Sequence, residues 1–127
     1  MIMTESPHAL IVDDDDQFSF LVETYLSMLG ISSDVAQNGI DALEMIEEKN
    51  FDFIMTDFKM PLMNGLQLLE KIKGNPNYQS IKTIFVTGGG ADVNDICAAE
   101  NLADQYILKP FTLETLKDKI HSLNLEQ

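Results

Sequence analysis

Five times along the chain a short apolar run gives way to a segment with helical spacing, and four of those runs end abruptly at a polar residue. Ala9 to Val12 predicts a buried strand that stops at Asp13. Phe18, Leu21, Val22, Tyr25, Leu26 and Leu29 follow at helical spacing, with Gly30 as the stop. Residues 31–36 (ISSDVA) predict a weak second strand, Asn38-Gly39 a turn, and Ile40, Leu43 and Ile46 a second helix. Phe51 to Thr56 predicts the third strand, ending at Asp57. Leu62, Leu66, Leu69 and Ile72 then predict one face of a helix closed by Gly74-Asn75-Pro76. Ile81 to Val86 predicts a fourth strand before Thr87 and the run Gly88-Gly89-Gly90. Val93, Ile96, Cys97 and Ala99 mark a fourth helix, and Gln105 to Leu108 a fifth strand before Lys109-Pro110. Leu113, Leu116, Ile120 and Leu123 give the last helix. Strands alternating with helices predict a doubly wound α/β fold, because each crossover is long enough to bring the next strand back parallel.

That topology turns scattered residues into a site. In a parallel sheet the C-terminal strand ends share one edge, where open α/β folds bind ligands. Here that edge would carry Asp13, Asp14, Asp57, Thr87 and Lys109. Three crowded carboxylates repel one another and need a cation to be ionised together. Oxygen-only donors with room for water and phosphate oxygens suit Mg2+. Lysine adds a positive charge and threonine a hydroxyl donor for a phosphoryl group. With no cysteine, Ser–His pair or histidine at these positions, a carboxylate is the natural nucleophile. The chemistry expected is phosphoryl transfer to an aspartate, which needs positioning and charge neutralisation above all.

Bulk properties narrow the setting. The 127 residues suit one domain, and 45% hydrophobic with 23% charged residues is ordinary for a soluble globular chain. A net charge of -13 opposes direct binding to nucleic acid or an anionic membrane. No apolar run approaches the ~20 residues of a membrane span. The start MIMTESPHAL lacks the basic and apolar regions of a secretory signal. The lone Cys97 precludes an intrachain disulfide and a thiolate zinc cluster, so a reducing, cytoplasmic setting is expected.

The run IVDD, then D-F-K-M-P from Asp57, then Thr87 after a strand, then Tyr106-Ile107-Leu108-Lys109-Pro110 closely resembles response-regulator receiver domains. The resemblance implies one receiver domain over residues 1–127, core about 9–123, with a flavodoxin-like (βα)5 sandwich of strand order 2-1-3-4-5. It implies that Asp57 is the phosphoacceptor, and that Asp14 ligates Mg2+ directly with Asp13 acting largely through water. The backbone carbonyl of Lys59 would complete the protein's share of the metal shell. Thr87 would shift to meet the phosphoryl oxygen, Lys109 would pair with that group, and Tyr106 would swing inward as Thr87 moves. Pro110 would occupy the tight turn after Lys109, a bond often cis in the family. The donor would be a phosphohistidine on a sensor histidine kinase or histidine phosphotransfer protein. Output would go to a protein target through the fourth helix, fifth strand and fifth helix. Such a chain is no ordinary enzyme, since it catalyses its own phosphorylation and dephosphorylation. The length leaves no room for an output domain, so a stand-alone regulator or a fragment of a larger protein is expected.

Other residues carry plainer readings. Asp15 and Asp16 are expected at a helix N-terminus, Cys97 in the core, and His8 and His121 at the surface. Lys59 departs from the small or neutral residue common two places after the phosphoacceptor, and Leu102 stands where relatives often have glycine. Asn101 is expected to take the left-handed backbone position instead. The glycine run is expected to let the loop after Thr87 move. The acidic run fails as a calcium loop, with Phe18 at the sixth position and Thr24 at the twelfth. Neither a dinucleotide fingerprint nor a Walker lysine motif occurs. An aspartyl-phosphate phosphatase of haloacid dehalogenase type would place a second aspartate where Lys59 stands. The remaining alternative is a receiver-fold interaction module that works without phosphorylation.

Overall fold

The chain forms β1 (His8–Val12), α1 (Asp16–Met28), β2 (Ser32–Ala36), α2 (Gly39–Glu48), β3 (Phe53–Asp57) and α3 (Gly65–Lys73). A 3-10 turn at Pro76–Tyr78 leads to β4 (Lys82–Thr87), α4 (Val93–Leu102), β5 (Gln105–Leu108) and α5 (Leu113–Ser122). This computed structural model describes residues 7–88 and 93–125. Gly89 and Gly90 of the glycine run lie outside the described residues. All strand pairs are parallel, in the order β2-β1-β3-β4-β5 that the sequence reading expects.

Both faces of the sheet are covered, which is why the strands read as near-continuous apolar runs. Ala9, Ile11, Phe53, Met55, Ile84 and Ile107 pack with Val22 and Leu26 of α1 and Leu116 and Ile120 of α5. Leu10, Val12 and Ile54 face the other way, against Ala42, Ile46, Leu68 and Ile72 of α2 and α3. Phe85 joins Leu69 of α3 and Ala99 of α4. No helix among the described residues is long and apolar enough to cross a membrane.

Local signals place the elements. Asp15 caps α1, its Oδ1 accepting from Gln17 N at 3.0 Å and Phe18 N at 3.2 Å, while Asp16 sits in the first turn. The helix closes as a Schellman motif: Ile31 N donates to Leu26 O, Gly30 N donates to Ser27 O, and Gly30 takes φ 80. Asn38-Gly39 is no free turn, because Asn38 caps α2 and Gly39 is its first residue. α3 begins later than its apolar spacing suggests. Asn64 and Gln67 form a capping box, leaving Leu62 in the loop at φ 73 and 76% exposed. Met63 N donates to Pro61 O at 2.8 Å, so Leu62 is the centre of a γ-turn.

Three further expectations fail. Asn101 lies within α4 and is not left-handed. Cys97 is exposed, because α4 buries only Ala99 and a residue two places away points roughly 200° around the helix. His8 is half-buried, stacked on Phe51 with Nε2 3.0 Å from Asp34 Oδ2 and Nδ1 against Ser32 Oγ. His121 is exposed as expected. At the sheet edge where β4 starts, Asp104 Oδ2 accepts from Lys73 Nζ at 2.8 Å, Thr83 N at 2.8 Å and Thr83 Oγ1 at 3.1 Å. Asp104 N donates back to Thr83 Oγ1 at 3.0 Å, so one carboxylate ties α3, β4 and the start of β5 together.

Candidate functional site

The strand order reverses at β1, between β2 and β3, and the site lies at the C-terminal ends beside that point. A cavity of about 360 Å3 there is lined by Asp13, Asp14, Asp57, Lys59, Thr87 and Lys109, together with Phe58 and Ile96. The five strand-end groups expected to converge do so. Tyr106 does not line the cavity; it is 41% exposed on β5, with Lys119 Nζ 5.1 Å from its ring centroid.

Each group is held by its element. Asp13 follows β1, its N–H donating to Ala36 O at 3.0 Å and its Oδ1 accepting from Asp15 N at 2.9 Å. Asp57 ends β3, where Oδ1 accepts from Phe58 N at 2.8 Å. Gly65 permits this turn: its N–H donates to Phe58 O at 2.8 Å, and a Cβ there would lie 2.2 Å from Asp57 O. Thr87 ends β4 at 5% exposure, and its carbonyl accepts from Lys109 N at 2.8 Å. The Lys109–Pro110 bond is cis, as the resemblance implies.

The Lys109 ammonium sits 3.5 Å from both Asp13 Oδ2 and Asp57 Oδ2. Its other neighbour is the Phe18 ring, whose centroid lies 4.1 Å from Nζ. Helical spacing marks Phe18 only as a core position. Its place under the lysine is a tertiary contact, reinforced by the edge-on Phe111 ring at 5.8 Å. At 3.5 Å the Asp13–Lys109 contact is a long ion pair rather than a hydrogen bond, and Asp13 Oδ2 is buried without a hydrogen-bond partner among the described residues. Burial lifts the Asp13 carboxyl above its ordinary range and the Asp57 charge adds to the lift, against the Asp15 N–H and Lys109. Lys59 is exposed beside these groups.

A divalent cation fits this donor set. Asp13, Asp14 and Asp57 offer oxygens that all lie within 4.8 Å of one another, and the buried Asp13 oxygen has only the long Lys109 ion pair and no hydrogen-bond partner among the described residues. Three hard oxygen donors and no nitrogen or sulfur match Mg2+ rather than zinc.

The chain is similar to chemotaxis proteins and response regulators. Chemotaxis protein CheY-3 of Vibrio cholerae serotype O1 is 33% identical over 123 residues, spanning 96% of this chain and 95% of that protein. Chemotaxis protein CheY of Pseudomonas aeruginosa is 34% identical, spanning 90% of this chain and 93% of that one. The CheY-like receiver domain protein of Methanospirillum hungatei superposes with a TM-score of 0.80 at 34% identity, covering 91% of each chain. The response regulator TrrA of Thermotoga maritima, solved in complex with Mg2+-BeF, superposes with a TM-score of 0.81 at 29% identity over 92% of this chain and 98% of that one. The description of the response regulator receiver domain matches residues 9–121, and the chain belongs to that family.

Proposed function

We propose that Asp57 accepts a phosphoryl group from a phosphohistidine donor and that the aspartyl phosphate switches binding to a downstream protein. The observation that carries this reading is the Lys109 ammonium, 3.5 Å from both Asp13 Oδ2 and Asp57 Oδ2 within a triad of carboxylates. A carboxylate oxygen of Asp57 forms a bond to phosphorus as the donor's P–N bond breaks. The electron pair stays on the imidazole nitrogen. Lys109 offsets charge on the phosphoryl oxygens, and the Thr87 hydroxyl donates to one of them. Asp14 and Asp57 would hold Mg2+ directly, with the Lys59 carbonyl, and Asp13 through water. Bound there, Mg2+ supplies charge neutralisation for the entering group. Lys59 is exposed beside the pocket, which supports an amine that stays in solvent rather than in that shell.

Tyr106 provides the readout. It is exposed on β5, paired with Phe85 and so two register steps from Thr87, and its inward turn would follow a Thr87 shift and reshape the surface of α4, β5 and α5. Residues 1–127 then act as one receiver domain, with a sensor kinase or phosphotransfer protein as donor. The proposed phosphohistidine donor and the free Cys97 support a cytoplasmic setting as part of this reading.

Incubation with Mg2+ and acetyl phosphate, read by intact-mass spectrometry, tests the assignment. One phosphoryl adduct is expected, absent in Asp57→Asn and without Mg2+. An adduct that persists in Asp57→Asn moves the acceptor elsewhere. No adduct and no beryllofluoride response would favour the phosphorylation-independent module.

A further inference from the structure

A second acidic surface lies between α1 and α2, in an open groove of about 630 Å3. Asp16 and Glu23 line it from α1, Asp41 and Glu44 from α2, and no lysine lines it. None of the ion pairs among the described residues involves these four carboxylates. Two have neutral partners: Gln37 Nε2 donates to Asp16 Oδ1 at 3.1 Å, and Asn38 Nδ2 to Asp41 Oδ2 at 3.2 Å. The independent observation is Ser19. It lines the groove at 3% exposure, and its hydroxyl has no hydrogen-bond partner among the described residues. A helical serine can bond the carbonyl four residues back; here no such bond is made, and the buried hydroxyl is an unsatisfied group in the groove wall.

The spacing selects the ligand class. Only Asp13, Asp14 and Asp57 bring three carboxylate oxygens within 4.8 Å of one another among the described residues, so the groove carboxylates do not converge on a single ion. Their charges line two helices, and Val35 of β2 and Met45 of α2 line the same groove. A groove lined by both acidic and apolar side chains fits a methylene chain with positive charges set apart along it. We infer that the α1–α2 groove binds a linear oligoamine, its ammonium groups on the paired carboxylates and the Ser19 hydroxyl and its methylenes over Val35 and Met45. The site is separate from the pocket around Asp57, and it would load the regulator with a cation independently of phosphorylation.

Spermidine is the probe, titrated calorimetrically into the intact chain at physiological salt with amide shifts followed by NMR. One-to-one binding is expected, with shifts confined to Ser19, Gln37, Glu44 and their neighbours. The double variant Glu23→Gln, Glu44→Gln should bind about tenfold more weakly. Glu114→Gln with Asp118→Asn removes the same charge from α5 and should stay within about twofold. Ser19→Ala should weaken binding while leaving the urea midpoint level or higher, since alanine favours helix and removes an unsatisfied hydroxyl. Equal weakening in both double variants would reduce the effect to diffuse counterion attraction and overturn the site. Shifts centred on Asp57, Lys59 and Thr87, or no heat of binding, would overturn it as well.

Discussion

Replacing Gly65 by alanine tests how closely the acceptor loop is set. The new Cβ would lie 2.2 Å from the Asp57 carbonyl oxygen and 3.0 Å from Phe58 Cα, where ordinary contact begins near 3.4 Å. The shortfall at the oxygen is therefore about 1 Å, and backbone on both sides leaves no side chain to swing away. Either the first turn of α3 or the Asp57–Phe58 peptide must move. Overpacking of this kind costs about 1–3 kcal/mol, and alanine's better helix propensity returns at most about 1 kcal/mol. A net loss of about 1–2 kcal/mol should appear as a lower urea midpoint at constant slope. The chemistry should suffer more, because a displacement of about 1 Å in a positioned nucleophile costs on the order of a hundredfold in rate. The rate of labelling by acetyl phosphate with Mg2+ measures it. Gly30→Ala is the control: it strains a residue at φ 80 with open space around its Cβ, far from the pocket. It should lose about 1–2 kcal/mol and keep its labelling rate. Gly65→Ala labelled at the parent rate, or Gly30→Ala slowed equally, would refute the argument.

Other outcomes follow from contacts away from that loop. Asp104→Ala leaves the buried Thr83 N–H without its acceptor and should cost about 2–3 kcal/mol in urea unfolding. Burial raises the Asp104 carboxyl, but Lys73 and Thr83 outweigh it and hold it below the ordinary 3.8. Its contribution is therefore present above that value and lost as pH falls through the native one, so parent and variant should converge in acid. Leu62→Gly relieves a left-handed backbone worth about 1–2 kcal/mol, offset by about 0.5–1 kcal/mol of glycine entropy. Since the side chain is 76% exposed, a slightly higher urea midpoint with unchanged acetyl phosphate labelling is expected. Without Mg2+, Asp13→Asn should raise stability at neutral pH, because the parent's raised carboxyl means ionisation costs the folded state. That gain should fade as pH falls from the raised native value to 3.8, and parent and variant of equal stability at neutral pH would contradict it.

What the sequence discloses and what it hides divide along physical lines. Asp13, Asp57, Thr87 and Lys109 are legible because each follows an apolar run, and parallel topology alone brings strand ends together. The start of α3 is misread because Leu62 has helical spacing to Leu66, while the capping box at Asn64 and Gln67 decides the boundary. Cys97 is misplaced because α4 has so weak an apolar face that its burial rests on Ala99. Phe18 beneath Lys109, and His8 between Phe51 and Asp34, depend on partners 91 and 26 to 43 residues away, which no local period encodes.

The pocket draws its groups from β1, β3, β4 and β5, with Lys109 anchored through its N–H to Thr87 O. No contiguous piece of the chain contains the site, so partial opening of the sheet dismantles it. A ligand held there is therefore coupled to cooperative unfolding of the whole domain. At a hundred times its dissociation constant it would add about 2.7 kcal/mol to global stability. Amide exchange should then slow together in β1, β3 and β4, including residues that never touch the ligand, making the sheet itself a reporter of occupancy.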